Sequence, residues 1–203
     1  MLRKYLFVIC CLFSLSAAAD DNKILLVLGD SLSTGYGIAM ERSWVYLLQD
    51  RLIRQGYRYE VINASISGGT TRGASARLMS LLDGIDPAIT IVELGGNDGL
   101  RGLSLDDMQA NLAVVIEQLL DVDSQILLVP MKLPPNYGAA YISKFEMIYM
   151  NMADQYDIKM LPFILKGIAG DSTLMQDDGI HPVADVQEKM LDNLWPDLLP
   201  LLE

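Results

Sequence analysis

The sequence LLVLGDSLS at residues 25–33 decides the fold of this chain. Its first half, with Ile24 before it, is apolar on both faces over the length of one strand, which is typical of a parallel sheet. Gly29 ends this strand, so Ser31 is expected at its carboxyl end. Ligands of open α/β sheets bind at that edge, and Ser31 is therefore a candidate nucleophile. A strand followed by an Asp or Ser helix cap is the alternative interpretation of the same residues.

The rest of the chain repeats this alternation of strand and helix. Further strands are predicted at residues 59–63, 88–94, 126–129 and 159–163, and helices at residues 43–53, 71–82, 104–121, 140–156 and 185–194. The connections are too long for hairpins, so the strands run parallel through right-handed crossovers. We therefore predict an α/β fold, a three-layer α/β/α sandwich around a five-stranded doubly wound parallel sheet of flavodoxin-like type.

The first nineteen residues have the pattern of an export signal. Arg3 and Lys4 precede an apolar run at residues 5–15, and small residues follow at 17–19. This order of charged, apolar and small-residue regions is typical of a secretory signal peptide. The apolar run is shorter than the roughly 18 residues of a membrane-spanning helix, which disfavours a membrane anchor. We predict a signal peptide over residues 1–19 and a single domain over residues 20–203.

Composition constrains the compartment and the partners of the mature chain. Both cysteines, Cys10 and Cys11, lie in the signal segment, so the mature chain can form no disulfide. A cysteine-free, apolar-rich exported domain fits an oxidising compartment, and we predict a periplasmic or secreted protein. The net charge of −11 becomes −13 without Arg3 and Lys4, because residues 1–19 contain no acid. An acidic body repels nucleic acid and anionic membranes, so we expect neither as a partner. We also expect no integral membrane segment in the mature chain, and a monomer.

The only histidine of the chain lies late in the sequence DDGIHP, residues 177–182. Asp178 and His181 are three residues apart around a glycine, close enough in a tight turn for the carboxylate to orient the imidazole. This is the base and orienting half of a serine triad, with Ser31 as the nucleophile. A structural or merely exposed histidine is the alternative.

Two glycine-rich strand ends complete the set of groups that acyl transfer needs. Gly68 follows the second predicted strand and offers a backbone N–H with no side chain in the way, and Asn97 follows the third and offers an amide N–H. Such donors stabilise the oxyanion of a tetrahedral intermediate. A turn glycine and a loop-capping asparagine are the alternative interpretations.

Other site classes lack their motifs. There is no G-x-S-x-G, so the nucleophile elbow of α/β-hydrolases is missing. Residues 29–35 lack the lysine and the glycine pattern of nucleotide-binding loops. One histidine and a mature chain without cysteine leave no strong zinc site, so we expect no metal and no cofactor.

Four blocks of the sequence together resemble the SGNH, or GDSL, hydrolase family. They are GDSL at residues 29–32, ISG at 66–68, GGND at 95–98 and DGIHP at 178–182. The likeness spans nearly the whole mature chain and is closest to a bacterial periplasmic branch of acyl-CoA thioesterases, lysophospholipases and arylesterases. Gly69 departs from that branch, whose thioesterase carries an acidic residue there, so fine specificity does not transfer.

The resemblance implies a role for each candidate site residue. Ser31 is then the nucleophile, and Gly68 and Asn97 complete an oxyanion hole with the Ser31 amide. His181 is the base, oriented by Asp178.

The resulting expectation is an exported serine esterase or thioesterase that cleaves fatty acyl esters and thioesters through an acyl-enzyme on Ser31. A small-molecule acyl ester or thioester is the expected partner. Leu100, Leu103, Leu133 and Tyr137 are expected to line an apolar acyl groove, with ordinary anchoring of loops into the core as the alternative. The competing functions are a carbohydrate acetyl-esterase on the same scaffold and a non-catalytic binding protein for acyl ligands.

Overall fold

Residues 22–202 are described by the computed structural model. Their five strands are β1 (Lys23–Gly29), β2 (Tyr59–Asn63), β3 (Pro87–Glu93), β4 (Gln125–Leu128) and β5 (Lys159–Met160). They form one sheet in the order β2-β1-β3-β4-β5, and each neighbouring pair is parallel. In the centre of this sheet, Leu25 of β1 lies opposite Val61 of β2 and Ile89 of β3. The predicted doubly wound parallel sheet is confirmed.

Seven helices connect or flank the strands in the described part of the chain. They are α1 (Ser31–Thr34), α2 (Trp44–Arg54), α3 (Thr71–Leu82), α4 (Gly96–Leu100), α5 (Leu105–Leu120), α6 (Ala139–Tyr156) and α7 (Gln187–Leu198), with short 3₁₀ helices at Met40–Arg42, Pro135–Tyr137, Ala184–Val186 and Leu199–Leu201. Helix α2 packs against α7, whereas α5 packs against both α3 and α6. The chain leaves β1 towards β2 and later crosses to β3 on the other side of β1, so right-handed connections place the two groups of helices on opposite faces. This is the predicted three-layer sandwich.

Local sequence explains where the strands and helices begin. Residues 25–28 of β1 are fully buried, as expected for the central strand of a parallel sheet. The hydroxyl groups of Ser43, Thr70 and Ser104 accept hydrogen bonds from the first turns of α2, α3 and α5, which supplies partners for otherwise unpaired N–H groups. The predicted bounds of α3 and β2 match the structure.

Two predicted elements end elsewhere than expected. Strand β5 pairs over two residues only, because Leu161 makes a last contact to Leu128 and is followed by Pro162, which has no N–H to donate. Helix α7 begins two residues later than predicted and continues through Pro196. Leu194 and Leu198 on either side of this proline are fully buried, so core packing offsets the missing N–H donor.

The predicted signal peptide lies outside the described residues. Between residues 22 and 202, no helix combines the length and the apolar character needed to cross a bilayer.

Candidate active site

Ser31 is the first residue of the short helix α1, directly after strand β1. Asp30 caps this helix, and its carboxylate accepts a hydrogen bond from the Leu32 N–H at 3.1 Å. The helix-cap interpretation of this stretch is therefore correct for Asp30. The half-buried Ser31 hydroxyl lies at the carboxyl edge of the sheet and faces the loop that contains His181.

The described structure brings Ser31, His181 and Asp178 into one hydrogen-bonded line. His181 Nε2 lies 2.7 Å from Ser31 Oγ, and His181 Nδ1 lies 2.6 Å from Asp178 Oδ2. A carboxylate only accepts hydrogen bonds, so Nδ1 carries the proton and Nε2 is free to accept the hydroxyl proton of Ser31. This arrangement can activate a serine for attack on a carbonyl carbon.

Asp178 is held in its ionised form by the turn in which it lies. Desolvation by itself raises the pKa of this carboxyl, but hydrogen bonds from the His181 backbone N–H, the His181 ring and the Ile180 N–H outweigh it and lower the pKa to about 2. Both backbone bonds are 2.9 Å long. Gly179 permits this turn because its φ of +66° lies in the left-handed region.

The loop that carries His181 is tied to the rest of the site by contacts the sequence did not reveal. Gln176 donates its backbone N–H to the His181 carbonyl at 2.7 Å, and its side chain donates to the carbonyls of Pro182 and Tyr36. The ring of Tyr36 lies against the imidazole, with ring centroids 4.6 Å apart. These contacts restrict the orientation of the base before any substrate arrives.

Gly68 and Asn97 lie at the ends of β2 and β3, as predicted. Gly68 has a φ of +72° in a turn that is closed by a 2.8 Å hydrogen bond from the Gly69 N–H to the Ile66 carbonyl. Asn97 lies in the first turn of α4 and donates its side-chain N–H to Asp30 Oδ2 at 2.9 Å. Since the amide nitrogen has a second N–H, one donor remains for a ligand.

A buried carboxyl group stands behind the nucleophile and was missed by the sequence analysis. Glu93, the last residue of β3, is completely buried. Its Oε2 accepts the Ser33 hydroxyl at 2.7 Å and the Asp30 N–H at 3.2 Å, while Oε1 has no hydrogen-bond partner among residues 22–202. Burial, together with the nearby Asp30 carboxylate, holds the pKa of Glu93 well above its ordinary value. Both causes favour the protonated form of Glu93 over the carboxylate. A glutamate inside the apolar run ITIVELGG was the available signal.

Asp30 shares this environment. Burial raises the pKa of Asp30, although the hydrogen bonds from Leu32 and Asn97 act in the opposite direction. A neutral Glu93 beside it removes the repulsion of a second charge. The geometry therefore favours a proton on Glu93 and a negative charge on Asp30, which faces the Asn97 amide.

An apolar cavity of about 480 Å³ opens beside the Ser31 and His181 side chains. Its wall includes Leu100, Met131, Leu133, Phe163, Leu165 and Ile180. Leu100 and Leu133 were predicted to line an acyl groove, and they do line this cavity. Tyr137 does not line the cavity but contacts a residue of its wall, because its hydroxyl donates to the Leu100 carbonyl at 2.7 Å. Leu103 is not part of the lining and is 43% exposed.

Within residues 22–202, no group of three or more histidine, cysteine, aspartate or glutamate residues is arranged to hold a metal ion.

Comparison with known sequences identifies close relatives of this chain. The profile of the GDSL-like Lipase/Acylhydrolase family matches residues 27–189. Esterase TesA of Pseudomonas aeruginosa is 47% identical over 178 residues, which cover 88% of this chain and 89% of the relative. The arylesterase of Vibrio mimicus is 42% identical over 86% of this chain and 88% of its own length. Thioesterase 1/protease 1/lysophospholipase L1 of Escherichia coli is 39% identical over 97% and 92%, respectively.

Solved structures give the same relationship at the level of the fold. The crystal structure of TesA superposes with a TM-score of 0.86 at 46% identity, covering 88% of this chain and 99% of that chain. The psychrotrophic esterase EstA from Pseudoalteromonas, inhibited by monoethylphosphonate, superposes with a TM-score of 0.85 at 37% identity, covering 90% and 99%.

Proposed function

The chain belongs to the GDSL-like lipase/acylhydrolase family and is an esterase, and on this premise we propose that it hydrolyses fatty acyl esters and thioesters through an acyl-enzyme on Ser31. The observation that carries the proposal is the 2.7 Å contact between Ser31 Oγ and His181 Nε2 at the mouth of the apolar cavity. Nucleophile, base and acyl-sized cavity meet at one point.

In the proposed first half-reaction, Ser31 Oγ attacks the carbonyl carbon while His181 Nε2 accepts the hydroxyl proton. The charge of Asp178 stabilises the imidazolium that forms. The N–H groups of Ser31, Gly68 and the Asn97 side chain donate to the developing oxyanion. Collapse of the tetrahedral intermediate breaks the bond to the alcohol or thiol, which leaves with the proton from His181.

In the second half-reaction, a water molecule gives a proton to His181 and attacks the acyl-enzyme carbonyl. Breakdown of the second tetrahedral intermediate returns that proton to Ser31 and releases a carboxylic acid. The same three side chains therefore serve both half-reactions.

The apolar cavity favours an acyl chain as the group that is recognised. Its wall of leucine, methionine and phenylalanine side chains offers little to hydroxyl-rich sugars, which disfavours the carbohydrate acetyl-esterase alternative. The relatives include an arylesterase and a protein named for thioesterase, protease and lysophospholipase activities. We propose lysophospholipids, short lipid esters and aryl esters as substrates.

We also propose that the enzyme is exported. Removal of residues 1–19 leaves a mature chain from Asp20 in the periplasm or the medium. Intact-mass measurement of the protein from the extracytoplasmic fraction tests this proposal. A mature chain that still carries Cys10 and Cys11 contradicts it.

A fluorophosphonate probe tests the nucleophile directly. We expect one covalent adduct, located at Ser31 by peptide mass spectrometry and absent from Ser31→Ala. Ser75→Ala removes a hydroxyl on helix α3 that donates to the Arg72 carbonyl, and it is the matched control that keeps the adduct. Absence of an adduct in the wild type favours the non-catalytic binding protein.

A series of p-nitrophenyl esters from acetate to palmitate tests the acyl cavity. We expect kcat/KM to rise from acetate to longer chains, because each buried methylene adds about 0.8 kcal/mol of transfer free energy until the cavity is full. A maximum at acetate contradicts the fatty acyl assignment and favours an acetyl-esterase.

A further inference from the structure

Arg101 connects two residues that lie on different loops of the site. One nitrogen of its guanidinium, Nη2, donates to the Gly68 carbonyl at 3.0 Å and to Asn97 Oδ1 at 3.2 Å. We propose that Arg101 is a positioning residue that holds the two oxyanion donors, Gly68 and Asn97, in one fixed geometry. The inference rests on the proposed roles of these two residues.

The Asn97 amide is held from both ends. Its nitrogen donates to the Asp30 carboxylate, and its oxygen accepts from the Arg101 guanidinium. A rotated amide would set oxygen against a carboxylate and N–H against a cation, so only one orientation satisfies both neighbours. The second N–H of the amide nitrogen is thereby kept in a constant direction. The cation at the amide oxygen also withdraws electron density from the nitrogen, which strengthens its N–H groups as donors.

Gly68 is held in a similar way from two sides. The residue before it, Ser67, shares a 2.7 Å hydrogen bond with the Thr34 hydroxyl, and Arg101 binds the carbonyl of Gly68 itself. A Cβ at position 68 would lie 3.0 Å from Arg101 Nη2, so the glycine allows the guanidinium to approach this closely. The backbone N–H of Gly68 lies between these two fixed points.

The position of Arg101 makes a purely structural role a poor explanation. Its side chain is exposed and lies at the end of α4, outside the hydrophobic core. The preceding residue is anchored independently, because Tyr137 binds the Leu100 carbonyl. Removal of the guanidinium therefore leaves the fold and the loop in place and changes chiefly the link between Gly68 and Asn97.

Steady-state kinetics of Arg101→Gln with p-nitrophenyl butyrate test the proposal, because this ester carries no charge for the arginine to bind. We expect kcat to fall about 10-fold with KM within about twofold, a smaller loss than the 10²- to 10³-fold that follows removal of an oxyanion donor itself. Arg101→Lys keeps the charge but not the guanidinium fork, and we expect an intermediate kcat. Arg54→Gln is the matched control, since this exposed arginine lies on α2 and pairs with Asp50 at 3.2 Å.

A double-mutant cycle separates action through Asn97 from an independent effect. If Arg101 acts through Asn97, then Arg101→Gln lowers kcat by only about 3-fold or less in an Asn97→Ala background, because only the contact to Gly68 remains. An equal 10-fold loss in both backgrounds overturns the proposal. All variants are compared at a temperature where circular dichroism shows each to be folded.

The remaining outcomes distinguish this inference from the proposed function. If Asn97→Ala leaves kcat unchanged, the proposed oxyanion hole is wrong. If Asn97→Ala lowers kcat and Arg101→Gln does not, only the positioning role is wrong. A rise in KM without a change in kcat overturns the positioning role and makes Arg101 a substrate-binding residue instead.

Discussion

Asp30 and Asp178 are the same residue type, and they lie on two sides of Ser31. Their surroundings shift the pKa values of the two carboxyls in opposite directions. Asp30 is 3% exposed beside the buried Glu93, and burial raises its pKa. The Asp178 side chain is 38% exposed in a tight turn, and three hydrogen bonds overcome its desolvation and lower its pKa to about 2. The depth of burial and the number of N–H donors, rather than the residue type, set the difference in pKa.

This difference divides the site into two halves. The exposed half contains the Asp178–His181 pair, which must take up and release a proton in every turnover. The buried half contains Asp30 and Glu93, where burial favours a proton on Glu93 and the Asp30 carboxylate accepts a hydrogen bond from the Asn97 amide. We expect substitutions in the exposed half to affect the rate most, and substitutions deep in the buried half to affect mainly stability.

The largest effect is expected from Ser31→Ala and His181→Ala. Each should lower kcat by roughly 10⁴-fold or more, because nucleophile and base act as one unit. The double variant should be no worse than either single variant in a p-nitrophenyl ester assay. Unchanged circular dichroism is part of the expectation, since both residues lie on loop and helix ends. Independent, multiplicative losses would show that the two side chains do not act together.

Asp178→Asn should be the next most severe change, with kcat lowered about 10³- to 10⁴-fold. The asparagine amide can present N–H to His181 Nδ1 and so stabilise the wrong tautomer, with the proton on Nε2. The kcat of Asp178→Asn should be compared with that of Asp178→Ala. Alanine removes the carboxylate without stabilising either tautomer of His181, so the difference between the variants measures the effect of the wrong tautomer. Activity close to the wild type in both variants would exclude Asp178 as the orienting residue.

Asn97→Ala tests the contact between the two halves. We expect kcat to fall about 10²- to 10³-fold, equivalent to roughly 3 to 4 kcal/mol of oxyanion stabilisation, with little change in KM. If KM alone rises, Asn97 binds the ground state and the family's oxyanion role does not apply to this chain.

The sequence predicted the exposed half of the site better than the buried half. Ser31, Gly68 and Asn97 follow apolar runs that identify strand ends, and a sole histidine three residues after Asp178 is conspicuous. These signals are local, and a parallel sheet gathers such strand ends at one edge.

The contacts of Glu93, Arg101 and Tyr36 could not be predicted in this way. Glu93 bonds to Ser33, 60 residues away, and Arg101 bonds to Gly68, 33 residues away. No periodicity in the chain encodes such pairs, because they depend on how loops from separate strands meet.

The smallest effect on rate, and the clearest effect on stability, is expected from Glu93→Gln. The amide has nearly the shape of the protonated carboxyl and leaves Asp30 in place, so kcat should stay within about threefold, or about 0.7 kcal/mol, of the wild type. Stability should respond to pH instead. The pKa of Glu93 is higher in the folded than in the unfolded protein, so the unfolded chain releases its proton first as pH rises from about 4.3.

Between the pKa of Glu93 in the unfolded protein and its pKa in the folded protein, the wild type should lose up to about 1.4 kcal/mol of unfolding free energy for each pH unit. Glu93→Gln has no carboxyl at this position and should not show this loss. Urea unfolding at pH 5, 6 and 7 measures the free energy of unfolding of both proteins. As pH rises, the stability of Glu93→Gln should increase relative to that of the wild type. Glu41→Gln, the same chemical change on an exposed residue, is the matched control. A constant difference between wild type and Glu93→Gln would mean that Glu93 carries a charge in the folded protein. The buried half would then hold two negative charges instead of one, and burial would not explain why the pKa values of Asp30 and Asp178 shift in opposite directions.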